Sequence, residues 1–306
     1  MKMKALPPLI PPYSKGGDSD PSPFAKGGIR RGFSFWLFGF LAFCSLISSC
    51  SLDPFLYNQK KIDRYDLSAV VIPESNRAMY TFRSGGYTLY GYYAFRTDSL
   101  DLGYTVLYCH GNKDNIENYW DRVELFYEMG IRCFIFDYRG FGRSEGTPSA
   151  SGLYSDGRAA LDFVINSLHV DTTKLFYYGY SLGNAVTIDL AADPSHTFPF
   201  CLIAEAPFAS AEALFHTATP LDLPGSFVID DNLDNASRVR GIHTRFLLIH
   251  GDADDFIPYQ TDGRIVFENA PQPKRLEIIH GANHTTIPQT MGLEAYRDSI
   301  LSFVRH

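Results

Sequence analysis

The chain is poor in cysteine, and what its cysteines fail to form excludes several classes. Of five in 306 residues, Cys44 and Cys50 fall in the N-terminal stretch, leaving Cys109, Cys133 and Cys201. No C-x-x-C and no zinc-ligand spacing occurs, so neither a thioredoxin-like redox motif nor a structural zinc site is encoded. Each of the three sits inside an apolar, β-like run, where a cysteine behaves as a small buried hydrophobe. With no disulfide framework, stability must come from packing. There is no internal repeat, and 45% hydrophobic against 20% charged residues carries no signature of disorder. A basic cluster is also missing. Six of the 27 Lys/Arg but only two of the 34 Asp/Glu lie in residues 1–49, so the remainder is more acidic than the −7 of the whole chain. That balance argues against nucleic acid as a partner.

The first 32 residues are rich in Pro, Gly and Lys, with the near-repeat Ser14-Lys15-Gly16-Gly17 and Ala25-Lys26-Gly27-Gly28. Arg30-Arg31 precede a run from Phe33 to Ile47 without charge, which ends in Ile47-Ser48-Ser49-Cys50. A positive flank, an apolar stretch and small residues before a cut describe a secretory signal peptide. The ending resembles a bacterial lipobox, which implies export, lipidation at Cys50, attachment to a membrane through that lipid, and residence in the bacterial cell envelope. An uncleaved N-terminal membrane anchor is the alternative, the run being slightly short of the ~20 residues that span a bilayer. A start codon set too far upstream is a third. Arg30-Arg31-Gly32-Phe33 half-matches a twin-arginine signal, but the run after it is very apolar. The expected organisation is a leader over 1–49, a linker over 50–74 and one domain over 75–306.

Within that domain, the aromatic and β-branched segments 77–83 and 87–95, joined through Ser84-Gly85-Gly86, predict a hairpin. Short apolar runs follow at 104–109, 131–136, 174–178, 200–204, 245–249 and 274–279. Between and after them, 115–129, 150–168, 182–192, 209–218, 261–270 and 289–304 read as helices; the first places Ile116, Trp120, Val123 and Tyr127 on one face and stops at Gly130. Buried strands alternating with helices after a hairpin predict an α/β fold: a mostly parallel sheet covered on both faces. The stretch 220–239 fits neither element and is short for a cap domain, so a minimal lid and an open, shallow site are expected.

Two pentapeptides match G-x-S-x-G: GRSEG at 142–146 and GYSLG at 179–183. The pattern carries chemistry only where a strand runs into the first glycine and a helix starts just after the serine, so that the hydroxyl stands at the sheet edge before a helix N-terminus. Ser181 has both, Lys174–Tyr178 before it and 182–192 behind it. Ser144 has neither: its strand ends near Asp137, and Thr147-Pro148 follows. Ser181 is the expected nucleophile, and Ser144 is expected to cap or hydrogen-bond. Asp137 and Arg139, in the same loop, are candidates for a structural ion pair or bracing hydrogen bonds.

A base and an acid should follow in the order Ser…Asp/Glu…His, at the carboxyl ends of strands. His284 and His280 compete for the base; the loop must fold back over the serine, which favours His284. For the acid, Asp254 is favoured over Asp252, Asp255 and Glu205. The oxyanion hole needs two backbone N–H groups, assigned to Leu182 and to Asn112 in the loop after the first parallel strand. His110 beside it is expected to be structural.

Together, VLYCHGN at 106–112, FDYRGFGRSEG at 136–146, GYSLG at 179–183, LLIHGDADDFIP at 247–258 and HGANH at 280–284 resemble the α/β-hydrolase superfamily. Within it they are similar to the small-lid serine hydrolases grouped with the serine aminopeptidase-like domain and the protein depalmitoylases, over about 75–305. The resemblance implies Ser181 as nucleophile, His284 as base, Asp254 as acid, and Asn112 and Leu182 as oxyanion donors. It implies cleavage of an acyl ester or thioester through an acyl-serine, without metal or organic cofactor, on a small-molecule or lipid substrate. Two alternatives stand: an aminopeptidase, for which Glu205 is the obvious amine-binding acid, and a non-catalytic envelope lipoprotein using the fold as a scaffold. The lipobox makes one prediction of its own. Labelled palmitate is incorporated into the full chain and not into Cys50→Ala; equal incorporation in the variant rejects it.

Overall fold

A computed structural model describes residues 57–218 and 233–305. The leader, Cys50, the apolar run 33–47 and most of the 220–239 segment lie outside the described residues.

The alternating apolar segments build one eight-stranded sheet. Its strands are β1 (Arg77–Ser84), β2 (Tyr87–Ala94), β3 (Thr105–Cys109), β4 (Arg132–Phe136), β5 (Leu175–Tyr180), β6 (Cys201–Glu205), β7 (Arg245–Gly251) and β8 (Lys274–Ile279). Their spatial order is β1-β2-β4-β3-β5-β6-β7-β8. β1 and β2 form the hairpin, β2 meets β4 antiparallel, and the remaining pairs are parallel. The helices of seven residues or more are α1 (Trp120–Glu128), α2 (Ala150–Asn166), α3 (Gly183–Ala192), α4 (Ala211–Ala218), α5 (Gly263–Asn269) and α6 (Leu293–Arg305).

Strand alternation sorts the core into two layers. Leu107, Cys109, Phe134, Phe136, Tyr177 and Leu248 face α2, α3 and α5. Val106, Tyr108, Ile135, Tyr178, Ile203 and Ile249 face α1 and α6. α1 connects β3 to β4 on one face, while α2 and α3 return through β5 to β6 on the other, as right-handed crossovers require. The chain thus reverses direction at β3, and the crevice beyond the carboxyl ends of β3 and β5 is where an open α/β sheet places a ligand. Cys109, Cys133 and Cys201 are all buried free thiols, as their apolar surroundings predict.

Asp137 and Arg139 brace their loop as expected, each through a partner elsewhere in the chain. Asp137 accepts from the Tyr65 hydroxyl and, at 2.9 Å, from Ile116 N–H. Arg139 forks onto the buried Asp156 of α2, with Nη2 at 2.7 Å, and Ser84 Oγ adds a bond to the same carboxylate at 2.6 Å. One expectation needs correction, the linker over 50–74: from Tyr57 onward this stretch is docked on the domain, burying Tyr57, Tyr65, Leu67 and Ile72. Its polar, aperiodic sequence gave no sign of this.

The aromatic layer under α2 sets a stability test. Phe134 is fully buried, with ring centroids of Phe163 at 5.5 Å and Phe82 at 6.0 Å. Phe134→Ala should lower the unfolding free energy by about 3–5 kcal/mol, read from chemical denaturation; a loss below about 1 kcal/mol would show that the layer collapses onto the gap.

Candidate active site

β5 runs through Gly179 to Tyr180, and α3 starts at Gly183. Between them Ser181 has φ +51°, the left-handed region that a non-glycine residue occupies at a cost. Backbone and side-chain bonds hold it there. Ser181 N–H donates to the Glu205 carbonyl at 3.1 Å. The Asn184 amide donates to Ser181 O at 3.1 Å and to Glu205 O at 2.9 Å. The flanking glycines are demanded by contact. A Cβ on Gly183 would lie 1.8 Å from the Cys109 carbonyl oxygen, and one on Gly179 would lie 2.7 Å from Asn184 Oδ1. The elbow therefore presses α3 against the end of β3, with its N-terminal N–H groups at the crevice.

The Ser181 hydroxyl lies 3.0 Å from His284 Nε2, and His284 Nδ1 lies 2.8 Å from Asp254 Oδ2. A carboxylate only accepts, so Nδ1 carries the proton and Nε2 presents its lone pair to the serine O–H. The imidazole is fixed from both sides. Tyr180 stacks on it with centroids 5.4 Å apart and donates its hydroxyl to the His284 carbonyl at 2.9 Å; Phe256 meets it edge-on at 5.0 Å. Asp254 Oδ1 accepts Ile257 N–H at 2.8 Å and Phe256 N–H at 3.1 Å. Behind it stands the buried His250, Nε2 3.5 Å from Asp254 Oδ2 and donating to Ile257 O at 2.8 Å. Burial pushes the Asp254 carboxyl up, but the bonds from His250, His284 and Ile257 outweigh it and hold the group below the usual carboxylate range.

The competitors stand elsewhere. His280 pairs with Asp252 at 2.7 Å on the open surface, its side chain 89% exposed, and Asp255 is also exposed. Glu205 is fully buried; it accepts from Arg122 at 2.8 Å, from Tyr178 at 2.6 Å and from Tyr296 at 2.5 Å. Burial raises this carboxyl, yet the Arg122 guanidinium and the tyrosine hydroxyls bring it below its ordinary value. His110 is fully buried, stacked on Tyr119 at 4.9 Å, with Nε2 3.2 Å from Asp137 Oδ1. Ser144 is buried as well, its hydroxyl donating to Asp137 O at 2.7 Å and accepting Tyr90 N–H at 3.0 Å.

Ser181 and His284 open onto a cleft of about 590 Å³ whose walls include Asn112, Tyr119, Asp121, Tyr180 and Phe256. Asn112 belongs to the loop after β3, and Leu182 directly precedes α3, where no intrahelical acceptor exists for its N–H. Sequence reasoning missed Asn184, Arg122, Tyr180 and Phe256. Only Asn184 had a usable signal, a polar residue three positions after the serine on the buried first turn of a helix.

Residues 103–223 match the model of the serine aminopeptidase family S33. The chain is 31% identical over 202 residues to the protein YfhR of Escherichia coli K12, covering 65% of this chain and 69% of that one. In structure it resembles an α/β hydrolase from Vibrio vulnificus (TM-score 0.62, 22% identity, 74% of this chain and 81% of that one). It also resembles an esterase from Pyrococcus furiosus (TM-score 0.66, 16% identity, 82% and 97%).

The depressed Asp254 carboxyl fixes the sign of a pH effect. Because its folded pKa lies below the unfolded value of ~3.9, its stabilisation is complete above that pH and is lost as pH falls toward the folded value. Wild type should therefore exceed Asp254→Asn in stability most at pH 5–7, with the gap closing below about pH 4. A gap constant from pH 7 to pH 3 in denaturant titrations would contradict a charged, hydrogen-bonded Asp254.

Proposed function

Because the chain belongs to the α/β-hydrolase family, we propose that it is a serine hydrolase cleaving short acyl esters or thioesters through an acyl-Ser181 intermediate. The observation that carries this reading is the single hydrogen-bonded chain from Ser181 through His284 to Asp254. His284 Nε2 takes the serine proton as Oγ attacks the acyl carbonyl. Charge gathers on the carbonyl oxygen, where the Leu182 and Asn112 N–H groups donate. The imidazolium, steadied by Asp254, then protonates the departing alcohol or thiol. Water takes its place, gives a proton to Nε2, attacks the acyl-serine and releases the carboxylic acid with Ser181 restored.

The cleft supports a short or polar acyl group over a long lipid chain. Its size suits a small molecule, and its apolar surface consists of aromatic rings interleaved with Asn58, Asn112, Lys113 and Asp121. The aminopeptidase alternative needs a carboxylate open to an ammonium group. Glu205 is enclosed with both oxygens occupied. Asp121 reaches the cleft but is paired with Arg122 at 2.6 Å. An ester is therefore favoured over an aminoacyl amide.

Fluorophosphonate should label the wild type and Ser144→Ala but not Ser181→Ala, and Asp254→Asn should lower kcat by about 10³–10⁴. A panel of short esters, long esters, thioesters and aminoacyl amides assigns the substrate. Label on Ser181→Ala would remove the nucleophile, and best turnover of an aminoacyl amide would move the chain to the peptidases.

A further inference from the structure

The stretch just after Tyr57 lies across two loops at the carboxyl edge of the sheet. On one side, Asn58–Gln59 pair in parallel with Lys113–Asp114, and Lys60 N–H donates to Asp114 O at 2.9 Å. Asn58 N–H also donates to the Asn112 side-chain oxygen at 3.2 Å. On the other side, Gly142 N–H donates to Lys60 O at 3.0 Å and Ile62 N–H to Gly142 O at 3.1 Å, while Lys61 Nζ donates to Ser144 O. Residues 58–62 thus tie the loop after β3 to the GRSEG loop after β4.

The loop after β3 has little of its own to fix its shape. It crosses from β3 to the turn before α1 in a few residues, with Asp114 at φ +54°. From inside, it is held by Tyr138 OH donating to His110 O at 2.9 Å and by Lys113 N–H donating to Tyr119 OH at 2.8 Å. Asn112 lies between these anchors, with its side chain bonded to Asn58 N–H. An oxyanion donor must stand within ~0.5 Å of its working position, and a displacement of about 1 Å can cost ~10²-fold in rate.

We propose that residues 58–62 form a strap that positions the Asn112 N–H in the oxyanion hole, with Asn58 and Lys60 acting as positioning residues through their backbone N–H groups. The proposal rests on the acyl-serine reading above. Because the strap supports a donor used only as charge develops, its loss lowers kcat and leaves substrate binding nearly unchanged.

The test uses the full chain and p-nitrophenyl acetate. Asn58→Pro removes the N–H bonded to Asn112, and Lys60→Pro removes the one bonded to Asp114. Each should lower kcat by about 10–100-fold with KM within about 3-fold, and with the far-UV spectrum unchanged. Lys60→Ala keeps the N–H and should match the wild type. Asn112→Ala leaves every backbone group in place and should lower kcat by about 3–10-fold; it decides the matter if a proline variant unfolds. Wild-type kcat in both folded proline variants, or a raised KM at constant kcat, overturns the strap. A wild type with neither turnover nor fluorophosphonate labelling overturns the acyl-serine mechanism and the strap with it, a result distinct from an active enzyme indifferent to the prolines.

Discussion

The left-handed backbone at Ser181 is a conformation its residue type disfavours by roughly 1–2 kcal/mol, and much of the carboxyl edge of the sheet is arranged around holding it. The Glu205 carbonyl receives both the Ser181 N–H and the Asn184 amide, so the end of β6 clamps the end of β5. Gly183 lets the first turn of α3 touch the last carbonyl of β3. A larger residue there would lift the helix N-terminus away from the hydroxyl it faces. Strand order follows from the same contact: β3 and β5 must be neighbours for α3 to meet both, and the register pairs Cys109 with Gly179.

Buried carboxylates recur along that edge. Asp137 after β4, Asp156 in α2, Glu205 at the end of β6 and Asp254 after β7 are all nearly inaccessible. An isolated buried carboxylate is very costly unless donors surround it, and each of these has two or more. Strand ends and tight loops leave N–H groups with no ladder partner, and a carboxylate accepts several at once. Asp137, Asp156 and Asp254 thereby gather loose loop ends into a defined shape, whereas Glu205 joins side chains of α1, β5 and α6. Asp137 joins Tyr65 of the N-terminal stretch to the start of the turn leading into α1, and Asp156 joins the hairpin to the loop after β4. Asp254 differs in that one of its partners, His284, bonds the Ser181 hydroxyl.

The strands and most helices were legible because burial writes itself into side-chain type. β3 to β7 read as nearly continuous apolar runs, and Gly130 ends α1 just where its backbone turns left-handed. The elbow was legible for a similar reason, since contact forbids a Cβ at Gly179 and Gly183. The strap left no comparable trace. Apart from the Lys61 ammonium, its bonds come from backbone N–H and C=O groups, which nearly every residue has, so Asn58 and Lys60 look like any polar lead-in. The partners of Asp137 and Arg139 were hidden for another reason: Tyr65 and Asp156 are distant in sequence, and only tertiary packing selects them.

Asp252–His280 and Asp254–His284 show how little the pairing itself decides. Both are carboxylate–imidazole bonds between the same two loops, at 2.7 Å and 2.8 Å. Water surrounds the first, with side chains 89% and 40% exposed, so the bond competes with solvent and each side chain is free to leave. The second is enclosed, with Asp254 saturated by backbone donors and His284 gripped between Tyr180 and Phe256. In that setting the carboxylate enforces one tautomer, and an imidazolium formed beside it is stabilised by a lower local dielectric. The difference traces to two apolar contacts. Phe256 itself is 55% exposed, an aromatic ring held at the surface over the imidazole edge rather than buried in the core. Its position excludes water from one side of the bond while leaving Nε2 open to the serine and the cleft.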